Sequence, residues 1–415
     1  MLSPFVFAVL AHSSTTKISV SPSVALYDRP VAIHIHAPPQ KEVVLTAQTT
    51  DGEGRQWSSH ASFTSASGNI DLTQDAPSFG SYAGADGMGL FWSMHSSGNR
   101  PFAQPSGFKP MHITLRVSIA GKVVARVAAT RLAVLPGVTR TEVNTASVKG
   151  VLFTPPGGGG RAGVIVLGGS EGGLDENDAA LLASHGFVTF AAAYFGISQL
   201  PKNLVDIPVE TVLGAVKYLA MQPRVGSVGI FGTSRGGELS LLAGSLSMQL
   251  KAVVAIVPSP VIEPGLRFGV GPVNESPWTY RGKPFPFASF AQLLTFLKTG
   301  DVAPIQNALI PVERINGPVL LVAASDDQLG YSGPLASLAF DQLQRSHHGF
   351  PDELLPNPGA GHLLAAPYLP TANLRSLQTP YGTLTFGGSA AAYERADATS
   401  WPKILAFLNR SLAIK

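Results

Sequence analysis

The sequence contains no cysteine. That absence excludes disulfides, thiolate metal sites and a cysteine nucleophile together. Charge is scarce as well: Asp, Glu, Lys and Arg make up 13% of the 415 residues, and the formal net charge is only +3. No Lys/Arg-rich run occurs, so nothing in the charge pattern points to a nucleic-acid partner. No segment reaches the ~18 uninterrupted apolar residues of a membrane span. The start, residues 1–11, is apolar but lacks a basic n-region and is short for a signal peptide. Residues 1–16 are therefore set apart as a leader or a disordered start, with a first strand as the alternative.

What remains is apolar and rich in turns. Hydrophobic residues make up 45% of the chain, enough for a sizeable core, and 44 glycines with 33 prolines favour short strands and many turns over a helical bundle. The length suits two domains. Residues 17–140 read as β. Period-2 alternation or short apolar runs occur at 18–20, 31–35, 43–47, 112–117 and 123–127. Ala120-Gly121 between the last two is a hairpin turn, and Asp51-Gly52 marks another turn. This spacing predicts an immunoglobulin-like sandwich. Residues 84–92, rich in glycine and aromatics, read as a structured loop.

The rhythm changes near Pro136-Gly137. Apolar strands at 163–168, 187–191, 227–231, 251–257 and 318–323 alternate with helical stretches at 176–185, 209–221, 236–246 and 401–412. Near-continuous apolar strands joined by helices predict a parallel sheet covered on both faces, an α/β domain over 141–415. Between 260 and 310 the alternation stops, and Phe268, Trp278, Tyr280, Phe285, Phe287, Phe290 and Phe296 stand among several prolines. So long an excursion between sheet strands reads as a cap. Its rings are expected either to line an acyl pocket, with Phe287 or Phe290 at its end, or to fill core beneath it.

Gly232-Thr-Ser-Arg-Gly236 lies between an apolar strand and a helix. That context makes it a nucleophile elbow, in which glycines permit a tight turn that lifts the Ser234 hydroxyl clear of the sheet. A serine needs a base to take its proton. In this fold the order is serine, acid, histidine, with the acid after a late strand. Asp326-Asp327 follows the strand at 318–323, and the register from Ala324 selects Asp327, leaving Asp326 as a turn or capping residue. His362, in the loop Pro358-Gly-Ala-Gly-His362, supplies the imidazole, while His347 and His348 read as surface-loop residues. For the oxyanion, the backbone N–H of Arg235 is one expected donor. The second is expected from Gly169 or Ser170, in the loop Gly168-Gly-Ser-Glu-Gly-Gly173. No Lys-Ser/Thr follows that loop, so it is not a P-loop. Glu238 receives no catalytic role. No cofactor and no metal is called for.

At these residues the chain resembles the acyl-CoA thioesterase and bile acid-CoA:amino acid N-acyltransferase family. The likeness runs through Val24-Ala-Leu-Tyr-Asp-Arg-Pro-Val31, Gly87-Met-Gly-Leu-Phe-Trp-Ser93, Pro136-Gly-Val-Thr-Arg140 and Leu182-Ala-Ser-His-Gly-Phe187. It continues through Ala192-Ala-Tyr-Phe195, Pro358-Gly-Ala-Gly-His-Leu-Leu364, Pro367-Tyr-Leu-Pro370 and Phe386-Gly-Gly388. The resemblance implies a β-sandwich followed by an α/β-hydrolase domain, an acyl-CoA substrate cleaved through an acyl-enzyme, and Ser234, Asp327 and His362 at the triad positions. It also implies that a serine nucleophile goes with thioesterases and a cysteine with the amino-acid transferases. The stretch after the acid, Asp326-Asp-Gln-Leu-Gly330, departs from the family pattern. An acyl-CoA substrate implies a cytoplasmic enzyme; if the apolar start is an export signal, an ester or amide substrate takes its place. Fatty acyl-CoA hydrolysis is the leading expectation. The alternatives are a carboxylesterase or dienelactone-hydrolase-like enzyme on the same residues, an acyl-CoA:amino acid N-acyltransferase, and a binding module joined to an inactive hydrolase.

Overall fold

A computed structural model describes residues 15–98, 100–379 and 382–413. The apolar stretch read as a leader lies almost wholly outside the described residues.

The N-terminal region is all-β. A three-stranded sheet (Lys17–Ser21, Ala32–His36 and Asn69–Asp71) packs against a six-stranded one built around Glu42–Thr50, Gln56–Thr64, Met111–Ile119 and Lys122–Leu132. Alternation decides which face is buried: Ile33 and Ile35 are buried, while His34 between them and His36 after them face solvent. They meet Val43, Leu45, Trp57, Phe63, Ile113 and Leu115 in one core. Ala120 and Gly121 both have positive φ, +49° and +74°. That is the twist a two-residue hairpin loop needs to match right-twisted strands. The aromatic loop read at 84–92 contains a single helical turn, Gly89–Trp92, with every residue buried.

The second region carries an eight-stranded sheet: β1 (Thr139–Asn144), β2 (Lys149–Thr154), β3 (Arg161–Leu167), β4 (Val188–Ala192), β5 (Val225–Thr233), β6 (Leu250–Ile256), β7 (Val319–Ala324) and β8 (Glu353–Asn357). Their order across the sheet is β1-β2-β4-β3-β5-β6-β7-β8. Only the β1–β2 and β2–β4 pairs are antiparallel. This is the α/β-hydrolase arrangement. The inner strands are apolar throughout because both faces are covered, as in Val-Leu-Leu-Val-Ala-Ala of β7, where all six residues are buried. Helices Glu210–Ala220, Arg235–Leu246 and Ser332–Arg345 cover one face, through residues such as Val216, Leu242 and Leu343. Helices Glu176–Ser184 and Ala390–Ser411 cover the other, through Leu181, Trp401 and Phe407. Each such side chain contributes about 1.5–3 kcal/mol by leaving water. Among the described residues, no helix is long and apolar enough to cross a membrane.

The two regions are joined by a polar seam. Asp28 accepts from Trp401 Nε1 at 2.8 Å and pairs with His185 Nε2 at 2.5 Å, and Thr371 N–H donates to the Trp92 carbonyl at 2.9 Å. Glu394 is buried at this seam and accepts from Tyr368 N–H at 3.2 Å. Burial pushes its carboxyl up to about 8, helped by the nearby Asp86 and opposed by that hydrogen bond. The unfolded chain releases this proton at the ordinary, lower pH, whereas the folded chain keeps it until about 8. Between those limits the native state binds more protons, so stability falls as pH rises through the window. Burial raises Glu238 to about 8 as well. The melting temperature should therefore be a few degrees higher at pH 6 than at pH 8.5. Glu394→Gln should make that slope visibly shallower. An unchanged slope in the variant would remove Glu394 as a cause.

Candidate active site

Four loops meet beyond the C-terminal ends of the strands, where open α/β sheets place their sites. Ser234 forms the turn between β5 and the helix Arg235–Leu246, with φ +57° and ψ −119°. A non-glycine residue held there costs about 1–3 kcal/mol and persists only when its surroundings enforce it. They do so by close packing. A Cβ on Gly232 would lie 2.2 Å from the Gly236 carbonyl oxygen, and one on Gly236 would lie 2.4 Å from that of Gly168. Glycine at both positions is therefore a steric requirement of the elbow.

His362 follows β8. Its N–H donates to the Phe386 carbonyl at 2.9 Å, and its ring lies between two partners. Nε2 is 2.9 Å from Ser234 Oγ, and Nδ1 is 2.9 Å from Asp327 Oδ2. Asp327, in the loop after β7, is almost fully buried. Its Oδ1 accepts from the N–H groups of Leu329 (3.0 Å) and Gly330 (2.8 Å), and its Oδ2 from Ser332 N–H at 3.2 Å. Burial alone would push this carboxyl up. The hydrogen bond and charge of His362, with the Ser332 and Gly330 donors, outweigh burial and hold it below the usual carboxylate range. Asp326 points elsewhere: it accepts from Gln328 Nε2 at 3.0 Å and Gly388 N–H at 2.9 Å.

The loop after β3 approaches Ser234 closely, since a Cβ on Gly169 would lie 3.3 Å from the serine Cβ. Tyr194, buried beneath, donates through its hydroxyl to the carbonyls of Gly168 (2.6 Å) and Gly169 (3.1 Å) and anchors the loop. Gly169 N–H donates to Glu171 Oε1 at 2.8 Å, so that amide is already engaged. Ser170 is then the candidate second oxyanion donor from this loop. Arg235 N–H, the first in its helix, has no preceding helical carbonyl to bond.

Several residues have parts that their sequence reading did not give them. Glu238 is fully buried; it accepts from Arg235 Nη1 at 2.9 Å and from Trp278 Nε1 at 2.5 Å. Arg235 also reaches Glu263 Oε2 at 3.3 Å, so this cluster fastens the excursion after β6 to the elbow. The Arg/Glu spacing of three on one helix was the available signal. His348 is no surface residue: its ring is buried between Asp352 Oδ2 and the Ile315 carbonyl, each 2.7 Å away. Burial is high because it pins the end of the helix Ser332–Arg345 to the base of β7. Within the cap, Phe290 and Leu293 line a cavity of about 320 Å³ that reaches Ser234. Phe285 and Phe287 pack partly buried against the main core, and Phe296 is buried in a separate cluster under the cap.

Two family models match the chain. One, the acyl-CoA thioester hydrolase/BAAT N-terminal region, covers residues 28–145, and the other, the BAAT/acyl-CoA thioester hydrolase C terminal, covers residues 207–414. The chain is 30% identical to the peroxisomal succinyl-coenzyme A thioesterase of Mus musculus, over 95% of this chain and 96% of that protein. It is 31% identical to the Mus musculus bile acid-CoA:amino acid N-acyltransferase, over 95% and 98% respectively. It is 30% identical to acyl-coenzyme A thioesterase 1 of Homo sapiens, over 93% and 94%. Hydrolases and acyltransferases thus stand at the same distance, and identity does not separate the two activities. With both regions matched and full-length relatives at this level, the chain belongs to the acyl-CoA thioester hydrolase/bile acid-CoA:amino acid N-acyltransferase family and is an enzyme of that family.

Proposed function

We propose that the protein hydrolyses fatty acyl-CoA to free fatty acid and CoA through an acyl-Ser234 intermediate. One observation carries the reading: the nucleophile position holds a serine within 2.9 Å of a histidine that is itself 2.9 Å from a buried carboxylate. His362 Nε2 takes the serine proton as Oγ attacks the thioester carbonyl. The N–H groups of Arg235 and Ser170 receive the oxyanion. Collapse of the tetrahedral adduct breaks the C–S bond, and Nε2–H returns the proton to the departing CoA sulfur. A water then attacks the serine ester, with His362 as base, and releases the fatty acid and the free hydroxyl. Asp327 holds Nδ1–H and stabilises the imidazolium formed in each half.

Transfer to an amine competes at the second half-reaction. An oxygen ester is attacked readily by water once a base activates it, whereas a thioester intermediate favours an amine. The expected result with palmitoyl-CoA and millimolar glycine or taurine is free palmitate, with the conjugate a minor product. Conjugate as the main product, read by mass spectrometry, would replace hydrolysis by N-acyl transfer. The kcat/KM values for acyl-CoA and for p-nitrophenyl esters of the same acids, measured side by side, separate a thioesterase from a general carboxylesterase.

A further inference from the structure

Two cavities open at Ser234 and His362, and they differ in volume. The smaller, about 320 Å³, presents Arg235, Glu238 and Glu263 beside Leu266, Phe290 and Leu293. The larger, about 520 Å³, is walled by Leu363, Leu364, Leu369, Leu374 and Phe386. It is also walled by Phe102, which belongs to the all-β region. An alkyl chain gains about 0.8 kcal/mol per methylene when apolar surface replaces water around it. The smaller cavity leaves a long alkyl chain less room than the larger one. We infer that the acyl chain lies in the larger cavity and that Phe102 is a specificity-determining residue at its wall. This inference rests on the acyl-enzyme reading above.

Four carboxyl groups, Glu171, Asp175, Asp178 and Asp397, also line this cavity. Burial raises Asp178 and Asp397 well above the ordinary carboxylate range, toward the neutral form that costs least beside an alkyl chain, and Asp175 to about 6.

Phe102 is held rather than merely present. Its ring meets Trp57 edge-on, with centroids 5.4 Å apart and planes at 75°. Trp57 Nε1 donates to Asp51 Oδ2 at 3.0 Å. Arg55, which also bonds Asp51, donates from Nη2 to the Pro101 carbonyl at 2.7 Å. Gly52 N–H donates to the Ala103 carbonyl at 2.7 Å, and a Cβ on Gly52 would lie 2.3 Å from the Gln104 carbonyl oxygen. From the hydrolase side, Asn373 Nδ2 donates to the Gly98 carbonyl at 2.7 Å. Pro101 and Ala103 on either side of Phe102 are thus held within the all-β region, and a wall fixed before substrate arrives discriminates chain length without spending binding energy on its own ordering. The all-β region is, on this inference, part of the substrate site.

The test measures kcat/KM for wild type, Phe102→Ala, Phe102→Leu and Phe102→Trp. Straight-chain acyl-CoAs from butyryl to palmitoyl form one series, and p-nitrophenyl esters of the same acids form the other. Phe102→Ala should raise the long-to-short ratio about tenfold, with a smaller rise for Phe102→Leu and a shift to shorter chains for Phe102→Trp. If Phe102→Ala loses its fold with the Trp57 contact, the leucine and tryptophan variants keep an apolar partner there and give the same reading. Parallel profiles for all soluble variants overturn the inference while leaving the thioesterase reading standing. A shift confined to the ester series, with no CoA thioester turned over, removes the thioesterase reading and keeps the pocket. No turnover in either series overturns both.

Discussion

Replacing Ser234 by alanine should lower kcat by about four to six orders of magnitude and leave the melting temperature within a degree or two of wild type. The two halves of that expectation have different causes. The hydroxyl forms the bond to the acyl carbon, so no other group in the described site replaces it; what remains is binding and whatever the oxyanion donors give to attacking water. Stability barely changes because Oγ bonds only the His362 ring at 2.9 Å and lines both cavities. Alanine also carries the same Cβ as serine, so the cost of φ +57° persists and is not relieved. A fluorophosphonate should label wild type on the peptide containing Ser234 and leave the variant unlabelled. Wild-type turnover by the alanine variant, or a label on another peptide, would sink the serine-hydrolase reading.

Much of the fold was legible because burial on one face or two leaves a period in the sequence. Ala32–His36 alternates, and the hidden β7 does not; those patterns separate the two regions before any contact is known. What escaped was set by contacts from elsewhere. Gln56–Thr64 carries Ser58, Ser59, His60 and Ser62, yet pairs along nine positions with Glu42–Thr50 and buries Trp57, Ala61 and Phe63. Its polar residues hide a strand that its partner dictates. The last helix reads only from residue 401, and Pro402 suits a first turn. The helix runs Ala390–Ser411, with Pro402 inside it on an exposed position. Packing of Tyr393, Trp401 and Phe407 on the sheet offsets the lost N–H bond. At the site, motif and chain order single out Ser234, Asp327 and His362, and the last two come within hydrogen-bonding distance across 35 residues. Sequence had no means of seeing that Glu171 occupies the Gly169 amide, because that depends on one side-chain rotamer in a turn. Nor did it point to Phe102, whose place in the wall of the cavity that reaches Ser234 depends on how the two regions dock.

Asp327→Asn should lower kcat by about three to four orders of magnitude, and Asp326→Asn by no more than a few-fold. The two side chains are neighbours in sequence and opposites in surroundings. Asp327 is sealed from water and bonds the His362 ring at 2.9 Å, and the donors around it keep it ionised. Three backbone N–H groups also point at its two oxygens. An asparagine satisfies those donors only by turning its oxygen toward them, which aims its NH₂ at His362 Nδ1. The ring then needs Nδ1 as acceptor and carries its proton on Nε2, the tautomer unable to take one from Ser234. The imidazolium formed during turnover also loses its counter-charge. Asp326 has no such part: it is solvated, and its bonds to Gln328 Nε2 and Gly388 N–H brace a turn. Its amide variant keeps one acceptor oxygen for either donor. Because both substitutions preserve shape, matched circular dichroism and melting curves make the kinetic comparison direct. Should Asp326→Asn prove the more damaging of the two, the acid of the site is Asp326 and the register of the loop after β7 must be moved by one residue.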